Sequence, residues 1–449
     1  MSRAGTFDPI GKPARPLFGH PPGLTVLFTT QMWAEFSFFG LQALLVYYMT
    51  KHLHFPQYKS SLVYGAYGAA AFFSPFFGGL VADRWLGRTP SVIIGGTMMM
   101  LGHFAMAFEG LLFPALALVA VGNGLFIPPL AIQVGSLYGD DDPRKAYAYS
   151  AYYMGINLGG LLAPLVCGTL GELYGWHWGF TAAGVGMAIG LAIYCSFLRF
   201  LPAEPRKSAI ALEQGPEARA PIRQHVTILL LMIAMVVLFR VGYEQSGNVI
   251  ALWVADFTDR SVDLLGTRFT IPATWFQSIN PLLIILGTPL IIRVWRARGT
   301  KETTSHLLRR MAIGCIVATA AMLVMVGAAI ASGTEGGRVS SLWVFAYFVL
   351  LTLGELFVIP VGLTLVETLS PVRFASMAMG GWYIAKFVGS LLAGLMGAYW
   401  LVIAPSTFFA LGAVSTLIAG ASLWWMARRV RSASFAAAAP GRINPAPQS

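Results

Sequence analysis

Charged residues are scarce in this chain of 449 residues. Asp, Glu, Lys and Arg together make up 11% of it, whereas a soluble globular domain carries about 25%. Apolar residues make up 56%, and the mean hydropathy is +0.67. These values exclude an ordinary soluble domain and predict an all-α polytopic membrane protein, because helices satisfy their own backbone hydrogen bonds in lipid.

Cysteine is also rare, and the three residues of this type, Cys167, Cys195 and Cys315, each lie within an apolar run. Their spacing shows no disulfide framework and no metal-binding pattern, so we expect buried thiols that pack as small apolar side chains. The sequence also lacks a nucleophile–base set and a cofactor motif. We therefore expect no enzyme activity, no cofactor and no bound metal.

Acids are scarcer than bases, with 19 Asp and Glu against 30 Lys and Arg and a net charge of +11. A basic excess of this size raises the question of nucleic acid binding, but the cations lie mostly in short loops between apolar runs. With both termini in the cytoplasm, 23 of the 30 cations fall in cytoplasmic segments and five in outer segments. This asymmetry follows the positive-inside rule. It predicts a multi-pass membrane protein with cytoplasmic termini and no nucleic acid partner, and we expect the membrane to be a bacterial inner membrane.

Twelve apolar runs are long enough to cross a bilayer, since about 20 helical residues suffice. We predict spans at residues 23–50, 59–82, 89–108, 112–134, 147–171, 178–200, 225–255, 271–293, 305–331, 341–368, 375–402 and 405–427. A Pro-rich connection separates two six-helix halves. The predicted organisation is a cytoplasmic segment 1–22, an N-terminal bundle 23–200, a cytoplasmic linker 201–224, a C-terminal bundle 225–430 and a disordered cytoplasmic tail 431–449.

Several charged residues lie inside these spans, and Glu35 is near the centre of the first. An ionised carboxylate in lipid costs about 2.5–3.5 kcal/mol even on insertion scales, so Glu35 is expected to face the bundle interior or a wet cavity. A structural pair with a neighbouring helix is the alternative. Arg240 precedes Glu244 by four residues and can pair with it on one helical face, either as a purely structural pair or as part of a mechanism. For Lys386, near the middle of the eleventh span, we expect an acidic partner such as Glu355 or Glu35, and the alternative is a side chain that extends toward the membrane surface.

The loop after the second predicted span reads GGLVADRWLGR from residue 78 and resembles the conserved loop of the major facilitator superfamily. A weaker basic echo at 293–299 occupies the corresponding place in the second half. Related halves of this kind are common in secondary transporters, whose substrate site lies near mid-membrane between the repeats. The resemblance implies a role in conformational change for the loop residues Gly79, Asp83, Arg84, Gly87 and Arg88.

A narrower resemblance extends over nearly the whole chain. It is carried by the segments 122–129, 134–138, 150–168, 174–180, 243–248, 274–281, 354–357 and 381–383. In these segments the chain is similar to the proton-dependent oligopeptide transporter family, also called the PTR2 family. The resemblance implies a major facilitator fold with twelve transmembrane helices and a secondary active transporter working by alternating access. It also implies a small-molecule substrate and protons as partners, and we expect a monomer.

The resemblance also assigns roles to single residues. Glu355 matches the acid that receives the amino group of a peptide, and Glu244 matches an acid tied to protonation and gating. Asn157, Asn280 and Trp382 match positions that line the cavity. The candidate substrate-binding residues are Glu355, Asn157, Asn280, Trp382, Gln42, Phe38, Phe39, Phe72, Tyr383 and Lys386. The candidate residues for proton coupling and gating are Glu35, Glu244, Arg240 and Glu355.

The chain departs from the family where the peptide carboxylate is held. The arginine that follows the family's first-helix acids falls on Gln42, and the helix-four lysine falls on Ile127. Two functions therefore stay open: proton-coupled symport of di- or tripeptides and peptide-like compounds, or a carrier, including an exporter, of an amine-bearing non-peptide or modified peptide with altered proton coupling. A sensor or scaffold is a third class, disfavoured because the chain shows no soluble signalling domain.

Overall fold

The computed structural model describes residues 19–139, 142, 144–202, 222–264, 267–297, 303–333, 336–370 and 375–430. This part of the chain is almost entirely helical. The helices are α1 (Pro22–Tyr47), α2 (Gln57–Val81), α3 (Arg88–Ala105), α4 (Leu112–Ser136), α5 (Arg144–Ala163), α6 (Trp176–Ser196), α7 (Ile222–Tyr243), α8 (Val249–Phe257), α9 (Ile279–Ala297), α10 (Thr304–Ala331), α11 (Ser341–Leu369), α12 (Ala375–Gly397) and α13 (Pro405–Arg429). Most of the predicted cytoplasmic segment 1–22, most of the linker 201–224 and the whole predicted tail 431–449 lie outside the described residues.

The helices account for the twelve predicted spans, with α7 and α8 together forming the seventh. By length and apolar composition alone, nine helical segments of the described residues could cross a membrane. The helices α1, α3 and α12 complete the set. The first six spans form one bundle, in which α1 packs on α5 and α6 and α3 packs on α4. The last six form the second, in which α10 packs on α11 and α13.

Three local features differ from the sequence prediction. The seventh span is not continuous, because α7 ends at Tyr243 and a 3-10 turn, Glu244–Gly247, precedes α8. The predicted loop after the second span is wrong, since a π-helical turn, Ala82–Leu86, extends α2 and Gly87 alone separates it from α3. Gly87 has φ +85°, a conformation that glycine adopts without steric strain. The prediction that all three cysteines are buried is also wrong, because Cys195 is exposed.

Four short strands add a small non-helical element between the spans of the second bundle. They are β1 (Thr258–Asp259), β2 (Ser261–Leu264), β3 (Thr267–Thr270) and β4 (Val339–Ser340). The strands β2 and β3 form an antiparallel hairpin with Ser261 opposite Thr270, and β1 pairs in parallel with β4. All four lie in loops at one end of the molecule, so the membrane-spanning part remains helical.

Close approach of backbones fixes the packing of α2 against α4. A Cβ atom on Gly78 would lie 2.1 Å from the carbonyl oxygen of Gly124. A Cβ atom on Gly124 would lie 2.6 Å from the backbone carbonyl group of Ser74. Small residues allow helix backbones to approach closely in membranes. The next residue, Gly79, has only Pro128 nearby, with its Cβ 3.6 Å away.

We therefore expect Gly78→Ala to destabilise the N-terminal bundle by about 1–3 kcal/mol, the usual range for overpacking. The measurement is thermal unfolding of the detergent-purified protein. Gly79→Ala is the matched control, because its added methyl group meets only an ordinary van der Waals contact, and its midpoint should stay close to that of the parent. Equal midpoints for the two variants would contradict this account of the α2–α4 contact.

The two bundles meet at the end opposite to the described chain ends, which we call the distal end; it carries the connections α1–α2, α3–α4, α5–α6, α8–α9, α10–α11 and α12–α13. The opposite end is the near end. Close to the distal end, the backbones of α2 and α12 cross at Gly65 and Gly394, where a Cβ on either residue would lie within 2.9 Å of the other's Cα. The Gln57 amide donates to the Gly397 carbonyl oxygen at 2.9 Å.

Further contacts between the bundles join α1 to α8 and α5 to the segment before α9. The Tyr47 hydroxyl donates to the carbonyl oxygen of Ala251 at 2.8 Å. Glu172, in the helical extension of α5, accepts from the backbone N–H groups of Ala273 and Thr274 at 2.9 and 2.8 Å. It therefore caps the 3-10 helix Ala273–Ser278 across the bundle interface. These contacts close the distal end by hydrogen bonds and close packing.

Candidate functional site

The best-defined polar group of the C-terminal bundle is centred on Glu355 of α11, which is buried. The Asn280 amide, in the first turn of α9, donates to the Glu355 carboxylate at 2.8 Å and to the Thr352 hydroxyl at 3.0 Å. Thr352 and Glu355 are three residues apart and therefore share a helical face. The Tyr243 hydroxyl of α7 also lies close to Glu355. Neutral groups of α7, α9 and α11 thus lie around this carboxylate, and the Asn280 amide donates to it.

The pair of Arg240 and Glu244 is present as the four-residue spacing indicates. Both side chains are nearly sealed from solvent, with exposed fractions of 5% and 9%. The guanidinium group also lies over the rings of Phe72 and Tyr243, at 5.4 and 4.9 Å from their centroids. Glu244 opens the 3-10 turn between α7 and α8, so this ion pair sits at the break in the seventh span.

Lys386 of α12 does not have the expected acidic partner. Within the described ranges, no carboxylate lies within 4 Å of its ammonium group, so the prediction of a direct pair with Glu355 or Glu35 is wrong. The ammonium nitrogen lies instead over the rings of Phe72 and Tyr383, 4.9 and 5.8 Å from their centroids. It interacts with Glu35 and Glu355 at longer range only.

Glu35 of α1 is buried, and its hydrogen-bond partner is a neutral group. The Gln31 amide, one turn earlier, donates to its carboxylate at 2.6 Å. The Tyr152 hydroxyl of α5 donates to the side-chain carbonyl oxygen (Oε1) of Gln31 at 2.7 Å. A chain of hydrogen bonds therefore runs from α5 to the acid of α1, and the alternative of a structural ion pair at Glu35 has no support within the described residues.

We infer that these groups face one space between the bundles, which we call the central cleft and define by Glu35, Tyr153, Glu355, Tyr383 and Lys386. Tyr153 of the first bundle lies within electrostatic range of Glu355 of the second, and Glu35 lies within such range of Lys386. Tyr153 and Tyr383 are 40% and 38% exposed. Because the distal end is closed, we infer that the central cleft opens toward the near end.

The remaining candidates on α1 and α2 form an aromatic and amide lining. The Gln42 amide donates to the Tyr64 hydroxyl at 3.0 Å, so its side chain is held toward α2. Phe38 stacks on Tyr67 with centroids 6.0 Å apart. Phe39 lies edge-on to Phe38 and packs on α5 at Gly160, while Phe72 forms the aromatic surface under Lys386 and Arg240 described above.

Two residues that the resemblance places on the cavity wall are engaged elsewhere. Trp382 retains only 3% exposure and packs against Gly362 of α11, so most of its ring lies inside the C-terminal bundle. The Asn157 amide donates to the Tyr153 carbonyl oxygen of its own helix at 2.9 Å. Asn157 is buried as well, whereas Tyr153, its partner in this contact, is exposed.

The candidate conformational residues lie at the near end of α2, away from the central cleft. Gly79 belongs to α2, and Asp83 and Arg84 are exposed on the π-helical turn. The Arg88 guanidinium donates to the Ser136 hydroxyl at 3.1 Å, which ties the start of α3 to the end of α4.

Sequence reasoning missed four polar residues that complete the site and its closure: Tyr243, Thr352, Tyr152 and Glu172. Thr352 could have been found from its three-residue spacing to Glu355 on one helical face. Tyr152 and Tyr243 carry no such signal, since their roles depend on which helices become neighbours.

Comparison with known proteins gives the family. A family model described as the POT family matches residues 90–215 and 216–405. The chain is 32% identical to the peptide transporter YePEPT of Yersinia enterocolitica subsp. palearctica, over 86% of this chain and 89% of that protein. It is 28% identical to the di-/tripeptide transporter of Lactococcus lactis subsp. cremoris, over 92% of this chain and 96% of that protein.

A solved structure shows the same architecture. The crystal structure of the peptide transporter POT in complex with sulfate matches this chain with a TM-score of 0.83 at 28% identity, over 92% of this chain and 96% of that one. The predicted major facilitator fold, with twelve transmembrane helices in two six-helix bundles, is confirmed. So are the prediction of a multi-pass membrane transporter and the exclusion of an enzyme, and the chain belongs to the POT family.

Proposed function

We propose that this protein is a proton-coupled symporter of di- and tripeptides or peptide-like compounds, acting by alternating access in a bacterial inner membrane. The names of the relatives in Yersinia enterocolitica and Lactococcus lactis support the substrate class. The excess of basic residues in near-end segments supports cytoplasmic termini. All the residues that define the central cleft come from a single chain, so we propose a monomer as the working unit.

The observation that carries the proposal is the state of Glu355. Its carboxylate lies in the central cleft, is held by the Asn280 amide at 2.8 Å, and has no cation in salt-bridge contact within the described part of the chain. A carboxylate has about four lone-pair sites, so acceptor positions remain for a substrate ammonium group. The α-amino group of a peptide supplies such a cation.

Coupling to protons follows from the cost of leaving this acid charged. Burying an ionised carboxylate without a charged partner is strongly unfavourable. The carboxylates of Glu355 and Glu35 are therefore expected to take up either a proton or a cation. A symporter carries the proton and the substrate together, so the two acids divide these tasks: Glu355 binds the substrate ammonium group while Glu35, the second buried acid, holds the proton.

Alternating access is supported by the unequal joining of the bundles. At the distal end they are linked by contacts such as the bond from Tyr47 to Ala251 and the Glu172 cap. A neutral hydrogen bond such as that of Tyr47 contributes only about 0.5–1.5 kcal/mol net, and one to a charged group such as Glu172 about 1.5–3 kcal/mol. The contacts can therefore break when the bundles rock about the midplane site, as expected for carriers built from two related halves.

The proposal is tested by uptake of labelled dialanine into proteoliposomes, with and without an acidic exterior. We expect saturable uptake that the pH gradient accelerates and that unlabelled di- and tripeptides inhibit. An uptake rate that is the same with and without the pH gradient would contradict proton coupling. If dialanine is not taken up and free peptides do not compete for any transported amine, the second candidate, a carrier of amine-bearing compounds, replaces this one. This second candidate is considered because Gln42 and Ile127 stand where the family has the arginine and the lysine that hold the peptide carboxylate.

A further inference from the structure

Among the described residues, two cations, Arg240 and Lys386, lie in or beside the central cleft, both over the ring of Phe72, and they are in different states. Arg240 is paired with Glu244 and almost sealed from solvent. Lys386 is only half-buried, and within the described ranges it has no carboxylate within salt-bridge distance. The charge of Arg240 is thus already neutralised, whereas that of Lys386 is not.

The surroundings of Lys386 do not satisfy an ammonium group. Two ring faces, those of Phe72 and Tyr383, lie near its nitrogen. Ring faces attract a cation, but they accept none of the three hydrogen bonds that an ammonium group donates. A lysine held in this way is expected to bind an anion that enters the central cleft, because a charge-assisted hydrogen bond to a carboxylate is among the strong ones.

We propose that Lys386 receives the carboxylate of the substrate. This assignment rests on the proposed function and deepens it: the amino group binds at Glu355 and Asn280, and the carboxylate binds at Lys386. Both charged ends are then held by the C-terminal bundle, through α9, α11 and α12. The N-terminal bundle contributes neutral groups, among them Phe72 over the ammonium group and Tyr153 near Glu355.

The arrangement also defines what the site selects. A substrate must carry a cation and an anion at its two ends to neutralise Glu355 and Lys386 together. Gln42 and Ile127 lack charge, so a free carboxylate gains its strongest contact from Lys386. Phe72 comes from the opposite bundle, so the anion site spans the interface, and movement of α2 against α12 changes its surroundings.

The test compares two ligands on four forms of the protein in proteoliposomes. Inhibition of labelled dialanine uptake is measured with unlabelled dialanine and with its C-terminal amide, which lacks the carboxylate charge. We expect the parent protein to prefer the free acid. In Lys386→Gln the affinity for dialanine should fall about tenfold or more, while the affinity for the amide stays within about twofold, so the preference disappears. Lys386→Arg should keep most of the preference for the free acid over the amide.

Lys59→Gln is the matched control. Lys59 also lies over a phenylalanine ring, that of Phe55, with its nitrogen 3.9 Å from the centroid, but it lies at the start of α2 at the distal end. This variant should keep the full preference of the parent protein. Size-exclusion profiles in detergent establish that each variant is folded.

Each outcome decides a separate question. A folded Lys386→Gln variant that still prefers the free acid overturns the assignment of Lys386 and leaves peptide transport standing. A parent protein that does not distinguish the acid from the amide overturns it as well. If the parent protein does not take up dialanine, and dialanine does not inhibit the uptake of any transported amine, the proposed function is rejected. The assignment of Lys386 is then rejected with it.

Discussion

Arg240→Leu is expected to destabilise the protein by about 3–5 kcal/mol, because it leaves the carboxylate of Glu244 buried without its partner. The two side chains are 5% and 9% exposed, so water does not replace the lost contact. Transport should fall to background, since Glu244 begins the turn that joins α7 to α8 and a misplaced turn alters the distal closure. The measurement is unfolding by SDS titration together with dialanine uptake.

The control for this expectation is the double variant Arg240→Leu with Glu244→Leu. Replacing both members of a buried pair by apolar residues is often neutral or stabilising, and contacting residues are not additive. The double variant should therefore regain most of the stability lost in the single variant. Its transport then reports the mechanistic role of the pair: retained uptake would assign the pair to structure alone. If the single and double variants are equally unstable, the loss comes from packing around Arg240 and not from an unpaired charge.

The overall architecture was accessible from the sequence because its causes are local. The length of an apolar run sets whether a helix crosses a bilayer, and the position of Lys and Arg sets its direction. The pairing of Arg240 with Glu244 was predictable for the same reason, since four residues separate them on one helix.

The features that sequence reasoning missed depend on neighbouring helices. Lys386 was expected to find an acid, but which side chains lie opposite α12 is decided by the crossing of α2 at Gly65 and Gly394. That crossing places Phe72 over the ammonium group instead. The break after Tyr243 was hidden as well, because the run from 225 to 255 is apolar on both sides of it.

Glu355→Gln is expected to lower dialanine uptake about a hundredfold while the protein remains folded. Glutamine keeps the size of the side chain and an oxygen that can accept from Asn280, so packing on α9 is preserved. It removes the negative charge, and losing one partner of a buried charge pair costs about 2–5 kcal/mol. The measurements are uptake driven by a pH gradient and exchange of labelled for unlabelled dialanine without a gradient.

The two measurements separate the roles of this acid. An acid that only carries the proton leaves exchange intact when it is neutralised, whereas an acid that binds the substrate ammonium group abolishes both gradient-driven uptake and exchange. We expect both to be lost, since Glu355 has no cation in contact within the described residues and is the acid proposed to bind the substrate ammonium group. Glu367→Gln is the matched control, because Glu367 lies on the same helix, α11, at the exposed near end. Full activity of Glu355→Gln would remove Glu355 from the mechanism and transfer the acidic role to Glu35.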